Sequence, residues 1–158
     1  MESVSIRKVK ENELHIIQSL NHQLFIHDEV YDPLLNMNWP FEHVGEEYFR
    51  NKISGKSGVC FVAEIDSKIV GYLVGGLMEP HSYRTITKQT ELENILVTEE
   101  CRGHGIGEKL FEVFIGWSKQ HGAERIKVST SAENDGAIKF YKKVGFIPYS
   151  AELEYELK

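Results

Sequence analysis

Seven consecutive residues, Cys101, Arg102, Gly103, His104, Gly105, Ile106 and Gly107, carry three glycines at alternate positions between an apolar strand-like run and a long amphipathic helix. A glycine inside a helix costs about 0.5–1 kcal/mol relative to alanine, so three of them at the mouth of one helix oppose it unless something offsets the cost. Glycine lets the main chain approach a ligand closely. The first-turn amides of a helix lack intrahelical acceptors and sit at the positive end of its dipole. A phosphate or pyrophosphate suits such a turn. The competing reading is a loop that only needs positive φ angles, and three alternate glycines opening a long helix favour the anion site over it. Two phosphate loops fail on spacing. A Walker loop requires GK followed by Ser or Thr, whereas Gly107 precedes Glu108, and the dinucleotide fingerprint requires two residues before its last glycine, where only Ile106 stands.

The surrounding pattern is mixed α/β. Val4, Ile6 and Val9 begin a strand, and Leu14, Ile17, Leu20, Leu24 and Phe25 recur at helical spacing to about His27. Regularity lapses around Pro33 and Pro40, and a short helix follows through Tyr48, Phe49 and Ile53. Residues 59–65 and 69–77 read as a hairpin around Asp66, Ser67 and Lys68, and a third strand covers 90–98. A helix over about 103–121 places Ile106, Leu110, Val113, Phe114 and Trp117 on one face and closes at Gly122. Ile126, Val128 and Thr130 form a strand, which the crossover helix makes parallel to the previous one in a right-handed connection. A short helix then carries Ala137, Phe140, Tyr141 and Val144 up to Gly145, and the tail alternates Leu153, Tyr155 and Leu157 with Glu152, Glu154 and Glu156, as a strand with one wet face does.

Without repeats or a linker, residues 1–158 are expected to form a single domain, with hydrophobic residues at 41% to fill its core. The formal charge of −6 argues against a general nucleic-acid binder. No apolar run reaches the roughly 20 residues of a membrane span, and the opening run MESVSIRKVKENEL lacks a signal-peptide core, so a cytoplasmic protein away from the membrane is expected. Cys60 and Cys101 match no metal or redox spacing and read as free thiols, and the seven histidines form no metal motif, so no metal is expected.

Arg102, two residues, Gly105, one residue, Gly107 resembles the R/QxxGxG/A signature of the GNAT superfamily of N-acetyltransferases, which bind acetyl-coenzyme A. The run Asn134, Ala137, Phe140, Tyr141, Gly145, Phe146 is similar to that family's second conserved region, and the order of elements agrees over nearly the whole chain. The resemblance implies a GNAT-like fold: a central mixed, mostly antiparallel twisted sheet of about six to seven strands, flanked by about four helices, with two splayed parallel strands. The pantetheine arm would lie between those strands against Ile95, Leu96 and Val97. The amides of Gly103, His104, Gly105, Ile106, Gly107 and Glu108 would hold the pyrophosphate, with Arg102 and Lys143 as phosphate partners or solvated surface groups.

By the same resemblance, acetyl passes directly to a primary amine in a ternary complex, with no covalent enzyme intermediate. Tyr141 stands at the family's general-acid position, to protonate the departing thiolate; the other reading is a core aromatic. Glu93 corresponds to the strand glutamate that serves as base in part of the family, with Glu91 two residues away as the fallback, and Val97 N–H is the expected oxyanion donor. Asn134 reads both as a helix N-cap and as a cofactor contact. The acceptor pocket is implied to come from the segment joining the first two helices, with Asp28, Glu29, Tyr31 and Trp39, and from loops near the last strands. Acidic and aromatic groups suit a cationic amine on a small molecule, peptide or protein. The other reading of that segment is an ordinary loop. The alternative function is a non-catalytic acyl-coenzyme A sensor or subunit, and a homodimer through the C-terminal strands is open.

Overall fold

The apolar runs on either side of Asp66 and Ser67 close into a hairpin because both turn residues take positive φ, 49° and 62°, the hand that matches strand twist. These angles come from a computed structural model of the protein, which describes residues 3–158. The hairpin joins β2 (Val59–Ile65) to β3 (Lys68–Met78). Around it lie β1 (Ser5–Lys8), β4 (Gln89–Val97) and β5 (Arg125–Val128), giving one sheet in the order β1-β2-β3-β4-β5. The first four strands pair antiparallel, and β5 runs parallel to β4, as the crossover predicts.

Helices cover both faces, so the central strands are apolar on both sides. On one face α3 (Ile106–Gln120) presents Ile106, Leu110, Phe114 and Trp117 to Phe61, Leu73 and Leu92, with α4 (Asp135–Lys143) beside it. On the other, α1 (Leu14–Asp28) and α2 (His43–Ile53) bury Ile17, Leu20 and Phe49 against Val62, Tyr72 and Val74.

One irregularity decides which side chains of β4 reach which face. Val74 pairs with Asn94 but Gly75 with Leu92, which leaves Glu93 as the extra residue of a β-bulge. Before the bulge Thr90 and Leu92 face α3; after it Ile95 and Val97 do, so the alternation changes phase. Glu91, Glu93, Asn94 and Leu96 therefore share the face covered by α1 and α2.

Three expectations change. The sheet of described residues has five strands rather than six or seven, because residues 153–157 form no strand: Leu153, Tyr155 and Leu157 are 97%, 87% and 89% exposed. Alternation supplies two faces but no ladder, and among the described residues no main-chain hydrogen bond holds residues 147–158. The long helix starts at Ile106 rather than near residue 103, since Gly103 and Gly105 take φ of 78° and 76°. The strand expected to reach Thr130 stops at Val128.

Candidate active site

β5 meets β4 only over Gln89–Leu92, and β4 then runs on to Val97 without a described neighbour on that edge. Thr98 N–H donates to Val70 O (2.8 Å) on the β3 side. Strand amides alternate in direction, so the Val97 N–H points to the open edge. The two parallel strands thus splay as expected, and the gap offers unpaired main-chain groups beside Ile95, Leu96 and Val97.

The glycine turn lies at the end of this gap. Gly105, in the left-handed region, caps α3, and the first intrahelical acceptor is its own carbonyl, bonded by Lys109 N–H at 3.1 Å. The amides of Ile106, Gly107 and Glu108 consequently have no helical acceptor. A Cβ at Gly103 or Gly105 would meet nothing within 4 Å, so conformation rather than crowding demands glycine there. At Gly107 a Cβ would sit 3.2 Å from the Phe140 ring. Val97, Arg102, the three glycines and Phe140 line a cavity of about 280 Å³, and this donor set fits a diphosphate. Arg102 Nε donates to Val97 O (2.9 Å) and Lys143 Nζ to Glu108 Oε1 (2.6 Å), both in solvent. The His104 ring turns to Cys101 O, with Nδ1 at 3.3 Å, which leaves its amide to the turn.

Asn134 is the N-cap of α4, its Oδ1 accepting from Ala137 N–H at 3.1 Å. That cap fixes the helix that carries Tyr141. Tyr141 packs edge-on against Phe140 and Phe146, and burial, with a smaller contribution from Asp28, pushes its phenol up to about 12. It remains protonated at neutral pH and makes no hydrogen bond to any described residue.

On the α1–α2 face, Glu93 is held on both carboxylate oxygens: Tyr48 Oη donates to Oε1 (3.0 Å) and Lys52 Nζ donates to Oε2. Glu91 is half-buried and makes no such bond to the described residues. Burial first, then the neighbouring Glu93 charge, holds its carboxyl above the ordinary carboxylate range, against the opposing pull of Lys127 and Lys52.

Of the acceptor residues implied by the resemblance, Asp28 ends α1 with its Oδ1 3.0 Å from His27 Nδ1, and Tyr31 lies against His27. Glu29 is exposed at the C-cap of α1. Trp39 packs with Phe25, Tyr48 and Phe49. At the start of β4, Met78, Glu79, Arg84, Lys127, Tyr149 and Glu152 line a second cavity of about 230 Å³, with Arg84 4.2 Å above the Tyr149 ring. Sequence reasoning missed Tyr48 and Lys52. Their signal is the i, i+4 spacing that puts both on one face of α2, but a lysine on a surface helix reads as solvated. Among the described residues no group of three or more His, Cys, Asp and Glu could hold a metal, and no helix is long and apolar enough to cross a membrane.

The family model for the acetyltransferase (GNAT) family matches residues 22–146. An uncharacterized N-acetyltransferase, YobR, of Bacillus subtilis is 43% identical over 67 residues, covering 42% of this chain and 27% of its own length. An N-alpha-acetyltransferase of Sulfurisphaera tokodaii is 30% identical over 104 residues, covering 63% of this chain and 62% of its own. This chain thus spans less than two thirds of the length of either relative. Among solved structures, a mutant of the BH1408 protein from Bacillus halodurans superposes with a TM-score of 0.84 at 24% identity, over 98% of this chain and 99% of that one. The aminoglycoside N-acetyltransferase AAC(6')-Iy in complex with CoA superposes with a TM-score of 0.79 at 18% identity, over 100% and 97%. A match that takes in β2 to β5, the glycine turn and α4 together means that this chain belongs to the acetyltransferase (GNAT) family.

Proposed function

We propose that the protein transfers acetyl from acetyl-coenzyme A to a primary amine by direct attack. The observation that carries this reading is the continuity of the open β4 edge with the glycine turn: one surface offers main-chain partners for an amide-bearing arm and donors for a diphosphate. The amides from Gly103 to Glu108 hold the pyrophosphate, and Ile95, Leu96 and Val97 pair with the arm. Bound there, the thioester supplies an activated acyl group. The Val97 N–H is the donor available to its carbonyl oxygen. Tyr141 Oη, protonated at neutral pH, donates to the sulfur as it leaves. Glu91, free of hydrogen bonds to the described residues, takes the proton of the incoming ammonium, directly or through water. The reading places the protein in the cytoplasm, where Cys60 and Cys101 stay reduced.

The amine enters from the Glu91 side of β4, where Glu93 stands beside Glu91 and the 230 Å³ cavity opens beyond Lys127. Carboxylates there suit a cationic acceptor. The proteins named above include an N-alpha-acetyltransferase and an aminoglycoside N-acetyltransferase.

Free-thiol release from acetyl-coenzyme A, measured against polyamines, aminoglycosides, amino acids and lysine or N-terminal peptides, tests this. Release is expected with one amine class, and Tyr141→Phe lowers kcat by roughly 10²–10⁴-fold with coenzyme A affinity retained. Tight binding with no release on any amine transfers the chain to the sensor reading, and absence of binding removes the anion site itself.

A further inference from the structure

A lysine in a protein interior is costly unless its charge is met, and the Lys52 side chain is only 7% exposed. Its ammonium donates to Ser57 O (2.9 Å) and to Glu93 Oε2, and it lies 5.4 Å from the centre of the Tyr48 ring. Tyr48 Oη in turn donates to Glu93 Oε1 and accepts from Asn94 Nδ2 at 3.2 Å. Three elements converge here: one face of α2, the loop that follows it, and the bulge of β4, which turns Glu93 and Asn94 to the same side. The backbone makes room for the ammonium. A Cβ on Gly76 would stand 2.8 Å from Lys52 Nζ and 2.5 Å from Ser57 O, so no other residue fits there without displacing the pair.

The arrangement occupies both oxygens of Glu93 and leaves those of its neighbour Glu91 without a hydrogen-bond partner among the described residues. We propose that Lys52 and Tyr48 form a clamp that occupies both oxygens of Glu93 and withdraws it from proton transfer, so that Glu91 is the carboxylate that receives the proton of the acceptor amine. Lys52 is then a positioning residue, acting through Glu93. Glu91 takes one proton from the ammonium and releases it to solvent, and the second nitrogen proton, lost as the amide forms, replaces the one that Tyr141 gives to the sulfur. This deepens the acetyl-transfer reading and rests on it for the amine.

The charged groups facing Glu91 are Glu93 on its own strand, Lys127 on β5 and Lys52 on α2, while β3 places the uncharged Gly76 opposite. Their signs make the test specific. Titration of the Glu91 carboxyl by carbon NMR in the free protein, assigned with Glu91→Gln, is the first readout. Glu93→Gln removes a repulsive charge and moves the Glu91 midpoint down; Lys52→Met removes an attractive one and moves it up. The double variant returns it toward the wild-type value, and Lys52→Arg leaves it nearly in place. A purely structural lysine yields shifts of one sign or none, which overturns the clamp. The second readout is thiol release against pH. Glu91→Gln lowers kcat by roughly 10²–10⁴-fold, whereas Glu93→Gln costs at least about tenfold less than that. In Lys52→Met the acid limb of kcat moves up with the carboxyl midpoint. A larger loss in Glu93→Gln than in Glu91→Gln overturns the assignment. Should the wild-type protein release thiol with no amine, the acetyl-transfer reading falls, and the opposite-sign titration still decides the clamp.

Discussion

Residues 89–92 and 93–97 of β4 belong to one strand, yet the first four are paired on both edges, the last four on one, and the bulged Glu93 between them on neither. In the doubly paired half, Thr90 bonds Ser118 of α3 at 2.8 Å in a fully buried contact, and Leu92 is 1% exposed. In the half with the open edge the bulge at Glu93 interrupts the register, and Glu93, Asn94, Ile95 and Val97 are only partly buried. The difference separates two tasks along one strand. A ladder closed on both sides supplies rigidity, and a ladder left open keeps main-chain donors and acceptors available to a ligand. The bulge lies where one becomes the other, and it brings Asn94 to the same face as the carboxylates while Ile95 and Val97 turn to the α3 core.

The largest break in this comparison is made from the paired half. Leu92→Ala should cost about 2–5 kcal/mol in urea unfolding, while the molecules that remain folded bind coenzyme A as before. The same truncation at half-buried Ile95, beside the open edge, should cost less stability and more affinity. An intermediate effect comes from the tyrosines near the site. Burial raises the phenols of Tyr48, Tyr72 and Tyr141, the last to about 12, so the unfolded chain loses these protons first as pH rises. Stability is therefore full below pH 10 and falls above it, by about 1.4 kcal/mol per phenol for each pH unit until the folded value is reached. Urea midpoints between pH 9 and 11 that stay level would mean that these phenols are not buried. The smallest perturbation is isotopic. The Val97 amide should exchange with solvent far faster than the neighbouring Thr98 amide, and added coenzyme A should slow Val97 while leaving Thr98 unchanged. Equal protection of the two without ligand would close the edge on which the binding reading depends.

Much of the framework was legible because its signals are local. Asp66 and Ser67 mark the hairpin, Gly105 takes the left-handed turn that starts α3, and Asn134 caps α4, each within a few residues of the structure it directs. The free amides of the glycine turn belong with them, since the left-handed Gly105 and the start of α3 produce them locally. The acid–base side was harder to read. Glu93 was the expected base, but its occupation by Tyr48 and Lys52 depends on residues 45 and 41 positions earlier in the chain. Trp39 looked available to an acceptor and instead fills an aromatic cluster, because an aromatic side chain in a loop is bound to whichever apolar face lies within reach. The tail shows the opposite failure. Its alternation of Leu153, Tyr155 and Leu157 with glutamates is as regular as that of any strand, and it stays unpaired among the described residues because a strand requires a partner edge.

By itself the sequence determined the order of strands and helices, the parallel entry of β5, and the turn that can hold a diphosphate. These follow from periodicity, glycine conformation and unsatisfied helix amides, all of which act over one or two turns of chain. The tertiary structure alone decided that Glu93 is the bulged residue, that a buried lysine holds it, and that the Glu91 carboxylate has no hydrogen-bond partner among the described residues. Register and desolvation are properties of the assembled sheet, and no stretch of chain carries them before its neighbours are in place.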